Sequence, residues 1–460
     1  MMRRLQDFAQ ACAGRLEGED RPFTGVCTDT RRLAPGELYL ALRGPRFDGN
    51  QFLDAAAAAG AAGAVVDRPV SHSALPLIHV DDGQAALTRA AAQWRAQFAG
   101  AVVGVAGSNG KTTVKEMTAA ILARCGGCLA TRGNLNNQIG VPLTLLRLSG
   151  EHRSAVIEIG ANRPGEVAQL VALVRPQVGL ITNAGAEHLE GFGDLEGVAR
   201  AEGEMVAGLA ADAVAVLNAD DPYFALWCGM TPAAVLSFGV DRPADFRATH
   251  IDESLGDAGF QVGFRLHSPA GERELRLNVG GRHNVRNALC AAAAASAAGA
   301  GLDAIAEGLA AMQPVAGRLR PARTLQGARL IDDSYNANPS SMKAGIDVLS
   351  GLPGRAWLVM GDMGELGSHA QPSHIEIGRY AREHGIERLF ATGALSTLAV
   401  ESFGGGASWY PDVDSLARGV AALLGPDVNL LVKGSRSNRL EQVVALLTGM
   451  DAGAAAGGVH

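Results

Sequence analysis

Ala101-Val-Val-Gly-Val-Ala106, followed at once by Gly107-Ser-Asn-Gly-Lys-Thr-Thr113, decides how the rest of the chain is read. An uninterrupted apolar run of this kind makes a strand buried on both faces, because a strand with one wet face would alternate. The glycines after it let backbone N–H groups close on phosphate oxygens. A helical stretch, Thr113 to Arg124, starts where the loop ends, so its positive end adds to the same anion site. Gly107, Ser108, Asn109 and Gly110 would offer the loop itself. Lys111 would offer a point charge, Thr112 a hydroxyl for Mg²⁺, and Thr113 the start of the helix. The strict pattern G-x-x-x-x-G-K-[ST] is not met, because Val105 stands at its first glycine position. Strand, loop and helix in this order still predict a nucleotide-binding unit.

The texture continues on either side. Short apolar runs at Ala155-Val-Ile-Glu-Ile159, Val178-Gly-Leu-Ile-Thr182 and Ala213-Val-Ala-Val-Leu217 alternate with helical stretches, which predicts a parallel sheet covered by helices. Between about 231 and 280 the pattern turns to alternating strands, an antiparallel elaboration of the same domain. Residues 1–98 read as a small α/β unit with an alternating strand at Glu37–Leu42 and helices at 52–63 and 85–98. Pro314 to Arg320 reads as a linker. Beyond it, strand signals at 329–331, 356–360, 388–391 and 429–432 predict another α/β unit. The expectation is an α/β protein of three domains. They are 1–98, a central parallel-sheet ATPase domain at 99–314, and a Rossmann-like domain at 315–460, with a frayed tail from Asp451.

Composition excludes several classes. The 460 residues are 47% hydrophobic and 19% charged, as in a globular chain and unlike a disordered one. The net charge of −7 speaks against a partner held by bulk attraction, such as nucleic acid or an anionic membrane. No run reaches the roughly 20 apolar residues of a membrane span, and the N-terminus lacks the apolar core of a signal peptide. Six scattered cysteines fit a reducing compartment, so a cytoplasmic protein is expected. Cys125-Gly-Gly-Cys128 has no second pair or nearby histidine for zinc, and reads as two small buried residues at a helix end. Only four lysines occur, at 111, 115, 343 and 433, against 36 arginines, which makes each lysine worth inspecting.

Metal ligands should come from strand ends near the loop. Glu158 interrupts an apolar run, and a carboxylate buried there is costly unless it is paired or meets a cation. His188 lies in a loop at the same sheet edge; on spacing alone, a structural and a metal role stay open. No Asn-Lys-x-Asp stretch selects guanine.

Taken in order, Gly107–Thr113, Ile157-Glu-Ile-Gly-Ala-Asn162 and Ala186–Gly193 resemble the ATP-dependent Mur ligases, which join amino acids to peptidoglycan precursors. Gly133–Thr144, Gly281–Asn287, Asp332–Pro339, Met360–Gly367, Leu431–Arg436, Thr28–Arg31 and Phe47–Gly49 extend the likeness over nearly the whole chain. They resemble the branch whose incoming substrate is D-alanyl-D-alanine.

The resemblance implies that the first domain binds a UDP-muramyl tripeptide, the second ATP, and the third the dipeptide. It implies an acyl phosphate formed from ATP and Mg²⁺, attacked by the dipeptide amine. Catalytic roles would fall to Lys111, Glu158, His188 and Asp333. Thr112, Glu158 and His188 would hold metal; His283, Asn284 and Arg318 would meet the nucleotide. Thr28, Asp29, Asn136, Asn137 and Asn336 would line the substrate site, where Lys433 and Arg436 would pair a carboxylate. For Asn284 a helix N-cap is the plainer reading, and for Lys433 and Arg436 a solvated basic turn. A monomer is the default expectation.

One position departs from the family. Much of it carries a carbamylated lysine just after the His188 loop, and here Glu202 stands in that place. The expectation is that Glu202 supplies a permanent carboxylate to the second metal, through a bridging water or a shifted helix. The alternative is a surface residue and a weakened site. Rival functions are a sister ligase adding a single amino acid, a folylpolyglutamate-type ligase, and an ATP-binding regulator without ligase chemistry.

Overall fold

A computed structural model describes residues 4–45, 47–187, 189–256 and 259–450. Three main sheets follow one another along the chain. The first orders its strands Arg15–Glu17, Leu77–His79, Gly63–Val66, Leu38–Leu40 and Val26–Cys27, parallel except for the first. Leu38–Leu40 is buried on both faces rather than alternating. Leu38 and Leu40 enter one core and Tyr39 and Ala41 another, because this inner parallel strand is covered from both sides.

The central sheet has nine strands. Seven are parallel, and Gly259–Ser268 and Gly271–Leu277 extend the sheet antiparallel at one edge, as the alternating pattern predicts. Ala101–Ala106 lies between Val178–Ile181 and His152–Glu158. The chain leaves this strand toward one edge and later returns to its other side. The crevice past its carboxyl end is therefore a topological switch point, where ligands settle in such sheets. The helix Lys111–Leu122 follows the loop. Above it lies Arg282–Ala297, whose alanines 291–295 are completely buried. Methyl-sized side chains let this helix approach the sheet closely.

The third sheet runs Arg320–Arg323, Arg329–Asp333, Val428–Lys433, Arg355–Met360, Arg388–Thr392 and Ala407–Tyr410, parallel apart from the first strand. Asn338 starts the helix Pro339–Ser350 with a reciprocal cap, its side chain accepting from the Ser341 N–H and its own N–H donating to the Ser341 hydroxyl. Among the described residues no helix is long and apolar enough to cross a membrane. The tail from Asp451 lies outside the described residues.

The first two domains share one hydrophobic core through the helix Gly83–Ala96. Trp94 Nε1 donates to the Leu148 carbonyl at 3.0 Å. The buried Arg95 guanidinium donates to the carbonyls of Val174, Phe98 and Arg175 at 2.6, 3.0 and 2.8 Å. Val174 ends a helix, so the cation also meets the negative end of its dipole. A cut at residue 98 thus falls behind a helix that both domains use. The cysteine pair departs from expectation. Cys125 is exposed and Cys128 half-buried, because the helix ends before them and the strand Gly127–Ala130 is the edge of its sheet.

Arg95→Met should leave three carbonyls without a donor and lower stability by about 2–4 kcal/mol, read as an earlier urea midpoint.

Candidate active site

The loop after Ala106 turns on Gly107 and Gly110, at φ +117° and +85°, a region that side chains rarely enter. Its direction differs from the expectation. The N–H of Gly107 donates to Glu202 Oε2 at 2.7 Å, that of Ser108 to the Asn183 carbonyl at 2.9 Å, and that of Asn109 to Asn183 Oδ1 at 3.0 Å. These three donors are spent on protein acceptors. The donors left for an anion are the Gly110 N–H and those of the first helical turn, beginning at Lys111. Glu202 is therefore no surface residue: it braces the first glycine of the loop.

Lys111 Nζ folds back to the carbonyls of Gly107 and Ser108 at 2.6 and 3.1 Å, and stands 3.7 Å from Glu187 Oε2. Burial lowers its basicity, but Glu187, Glu202 and Glu158 outweigh that and hold the pKa above its ordinary value. The ammonium stays charged.

Glu158 ends its strand 2% exposed. Thr131 Oγ1 accepts its N–H at 3.0 Å, and Asn136 Nδ2 donates to Oε1 at 2.8 Å. Oε2 is buried without a hydrogen-bond partner among the described residues. An orphaned carboxylate oxygen beside a phosphate loop fits a hard cation such as Mg²⁺. Thr112 lines the same cleft. Among the described residues no three His, Cys, Asp or Glu side chains cluster as a metal cage. A Mg²⁺ here would draw its remaining ligands from water and phosphate, as that ion usually does. His188 lies outside the described residues.

The cleft encloses about 630 Å³ between all three domains. Asn136, Asn137, Asn336 and Arg436 border it. Asn137 Oδ1 also accepts from the Ile139 and Gly140 N–H groups, just before the helix Gly140–Leu145. Thr28 and Asp29 border neither this cleft nor its neighbour; Asp29 is paired with Arg31 at 2.7 Å. The first domain reaches the cleft instead through Gln84, which donates to Gln138 at 3.3 Å. Neither Gln84 nor Glu187 stands out in the sequence. Glu187 carries only the weak signal of adjoining His188.

A second chamber of about 280 Å³ adjoins, bordered by His283, Asn284, Arg318, Asp333 and Lys433. Asn284 is not a cap: Gly281 holds that position, and Asn284 Nδ2 donates to the Gly280 carbonyl at 2.6 Å. Lys433 also departs from expectation. It is 2% exposed, lies 2.7 Å from Asp333 Oδ2 and donates to the Asn336 carbonyl at 2.9 Å. Its partner is thus a carboxylate of the protein bordering the second chamber, and burial presses its pKa below the ordinary value. Of Lys433 and Arg436, only Arg436 borders the large cleft, beside Lys111 and Arg318. Burial also holds the His283 imidazole down to about 4; Asp333 pulls it up, and Lys433 and Arg286 press it down.

The loop touches the third domain directly. Asn338 Nδ2 donates to Asn109 Oδ1 at 2.7 Å, and Asn109 Nδ2 donates to Ser340 Oγ at 3.1 Å.

Fold and cleft together define a phosphate-loop protein whose third α/β domain is closed onto the loop. Family signatures cover most of the chain: "Mur ligase family, catalytic domain" at 22–104, "Mur ligase middle domain" at 105–295, and "Mur ligase, glutamate ligase domain" at 317–436. The chain belongs to the Mur ligase family. It is 44% identical to the UDP-N-acetylmuramoyl-tripeptide–D-alanyl-D-alanine ligase of Escherichia coli, over 96% of this chain and 98% of that one. The Bacillus subtilis enzyme of the same name is 33% identical over 96% and 97%. Among solved structures, MurF from Acinetobacter baumannii superposes with a TM-score of 0.90 at 34% identity, covering 97% and 98%. MurF ligase from Thermotoga maritima, in complex with ADP, gives 0.80 at 25% identity, covering 93% and 97%.

Glu158→Gln should keep nucleotide binding in the absence of metal and cut the Mg²⁺-dependent rate by about a hundredfold or more, measured by steady-state kinetics. For His283 the sign follows from its depressed pKa. Between its ordinary 6.5 and about 4 the unfolded chain takes up a proton that the folded chain refuses, so stability falls as pH falls. His283→Gln should remove up to about 3 kcal/mol of that loss, read from urea midpoints at both ends of the window.

Proposed function

We propose that the protein is the ATP-dependent, ADP-forming ligase that joins D-alanyl-D-alanine to UDP-N-acetylmuramoyl-tripeptide in peptidoglycan precursor synthesis. The observation that carries this reading is the orphaned oxygen of Glu158. Glu158 lines a cleft that also holds the cationic Lys111 and Arg436, in a chain whose full-length relatives bear that name.

Lys111 and the first turn of its helix hold the β- and γ-phosphates of ATP. His283 and Asn284 border the base, and Arg318 reaches from the linker to the phosphates. A carboxylate is a poor electrophile at neutral pH. Transfer of the γ-phosphoryl group to the tripeptide carboxylate gives it a leaving group. The dipeptide amine then attacks the acyl carbon, an amide forms, and phosphate departs. Mg²⁺, when bound at Glu158 and Thr112, supplies charge neutralisation on the transferring phosphoryl group. Asn136 keeps the Glu158 carboxylate aimed, and Asn137, Asn336 and Arg436 line the peptide side. Catalysis in such a site is positioning and charge stabilisation. The reading includes His188 as a ligand of a second metal and Glu202 as its permanent carboxylate, in place of a carbamylated lysine. It also includes domains at 1–98, 99–314 and 315–460, and a cytoplasmic monomer. The six free cysteines support the compartment.

Phosphate release from ATP and Mg²⁺ should require both the UDP-muramyl tripeptide and D-alanyl-D-alanine, and mass spectrometry should show the amide. Release with a single amino acid instead would assign a sister ligase, and binding of ATP without turnover a regulator. With Glu202 in place of the lysine, the rate should be the same in CO₂-free and bicarbonate-supplemented buffer. A marked loss without CO₂ would remove Glu202 from the metal site.

A further inference from the structure

Tyr335 stands in the turn after the strand Arg329–Asp333 and borders the large cleft. Two guanidinium groups reach its ring from separate parts of the chain. Arg318 comes from the interdomain linker, 4.3 Å from the ring centroid, and Arg436 from the turn Arg436–Asn438, at 5.7 Å. Among the described residues no carboxylate pairs with Arg318, and the one beside Arg436, Glu441, is 3.9 Å away. The Tyr335 N–H donates to the Gly317 carbonyl at 3.3 Å, which ties the ring to the residue just before Arg318. The Tyr335 hydroxyl makes no hydrogen bond among the described residues, so the ring face is the working part.

Two cations within about 10 Å of each other repel, and each long side chain has many rotamers to lose. The negative face of one aromatic ring offsets both costs. Arg318 borders both chambers and Arg436 only the large one. We infer that Tyr335 is a positioning residue that spaces Arg318, on the phosphoryl side, from Arg436, on the carboxylate side, so that donor and acceptor meet in register. This rests on the ligase reading above.

Steady-state kinetics of the full chain with both substrates test it. Tyr335→Leu should lower kcat/KM for the UDP-muramyl tripeptide by roughly three- to thirtyfold, with an unchanged melting temperature. Tyr335→Phe should bring the value back to within about twofold of the parent, since it restores the ring. A Leu variant as fast as the parent, or a Phe variant as slow as the Leu variant, overturns the inference while leaving the ligase reading intact. A parent without turnover overturns both. A second test leaves position 335 untouched. The losses from Arg318→Lys and Arg436→Lys should combine non-additively, because both depend on one ring, and strictly additive losses would overturn the inference.

Discussion

One buried ammonium feels three carboxylates: Lys111, 3.7 Å from Glu187, with Glu202 and Glu158 adding to its attraction. The balance is negative, although the loop exists to receive a polyanion. That imbalance orders the rest of the site. It keeps Lys111 charged despite burial, and it leaves Glu158 with an oxygen that the protein does not satisfy. It also gives positive charge from elsewhere a reason to enter. Some would arrive as a divalent cation, and some is carried in by Arg318 and Arg436 from beyond the second domain. The site is complete only where the domains meet.

The fold serves that meeting. A parallel sheet with a switch point puts the loop at its rim, and the helix after the loop aims its free N–H groups outward. The third domain brings its own strand-end turn, with Asp333, Tyr335 and Asn336, to the opposite wall. The first domain is anchored to the second by a shared core and by Arg95 on the end of a neighbouring helix. The third domain in turn shares a core with the second, through Leu189, Val198 and Phe260, and its Asn338 contacts Asn109 directly.

Much of this was legible before any coordinates. The buried central strand, the loop and the helix follow from an unbroken apolar run and its glycines. Glu158 stood out because a carboxylate inside an apolar run is expensive. Other features were hidden for physical reasons. Glycines announce a tight turn but not which way the N–H groups face, so the engagement of Gly107, Ser108 and Asn109 with Glu202 and Asn183 could not be read. Lys433 reads from the sequence as a cation for a substrate carboxylate, because its protein partner, Asp333, lies 100 residues away in the chain and on a neighbouring strand. Glu187, Gln84 and Tyr335 gain their meaning only from contacts that folding creates. The strand Leu38–Leu40 looked half-wet because local alternation says nothing of a second layer arriving from elsewhere.

The scarcity of lysine has a practical side. Lys115 is fully enclosed, its ammonium on the Thr131 carbonyl; Lys433 is sealed behind Asp333, and Lys111 is folded onto its own loop. Lys343 has the most open side chain of the four, at 32%. It sits on the helix Pro339–Ser350, whose first residues grip Asn109. An amine-directed fluorophore would find that lysine before the other three. Among its lysines the molecule thus offers one open handle, on the element that joins its third domain to the phosphate loop.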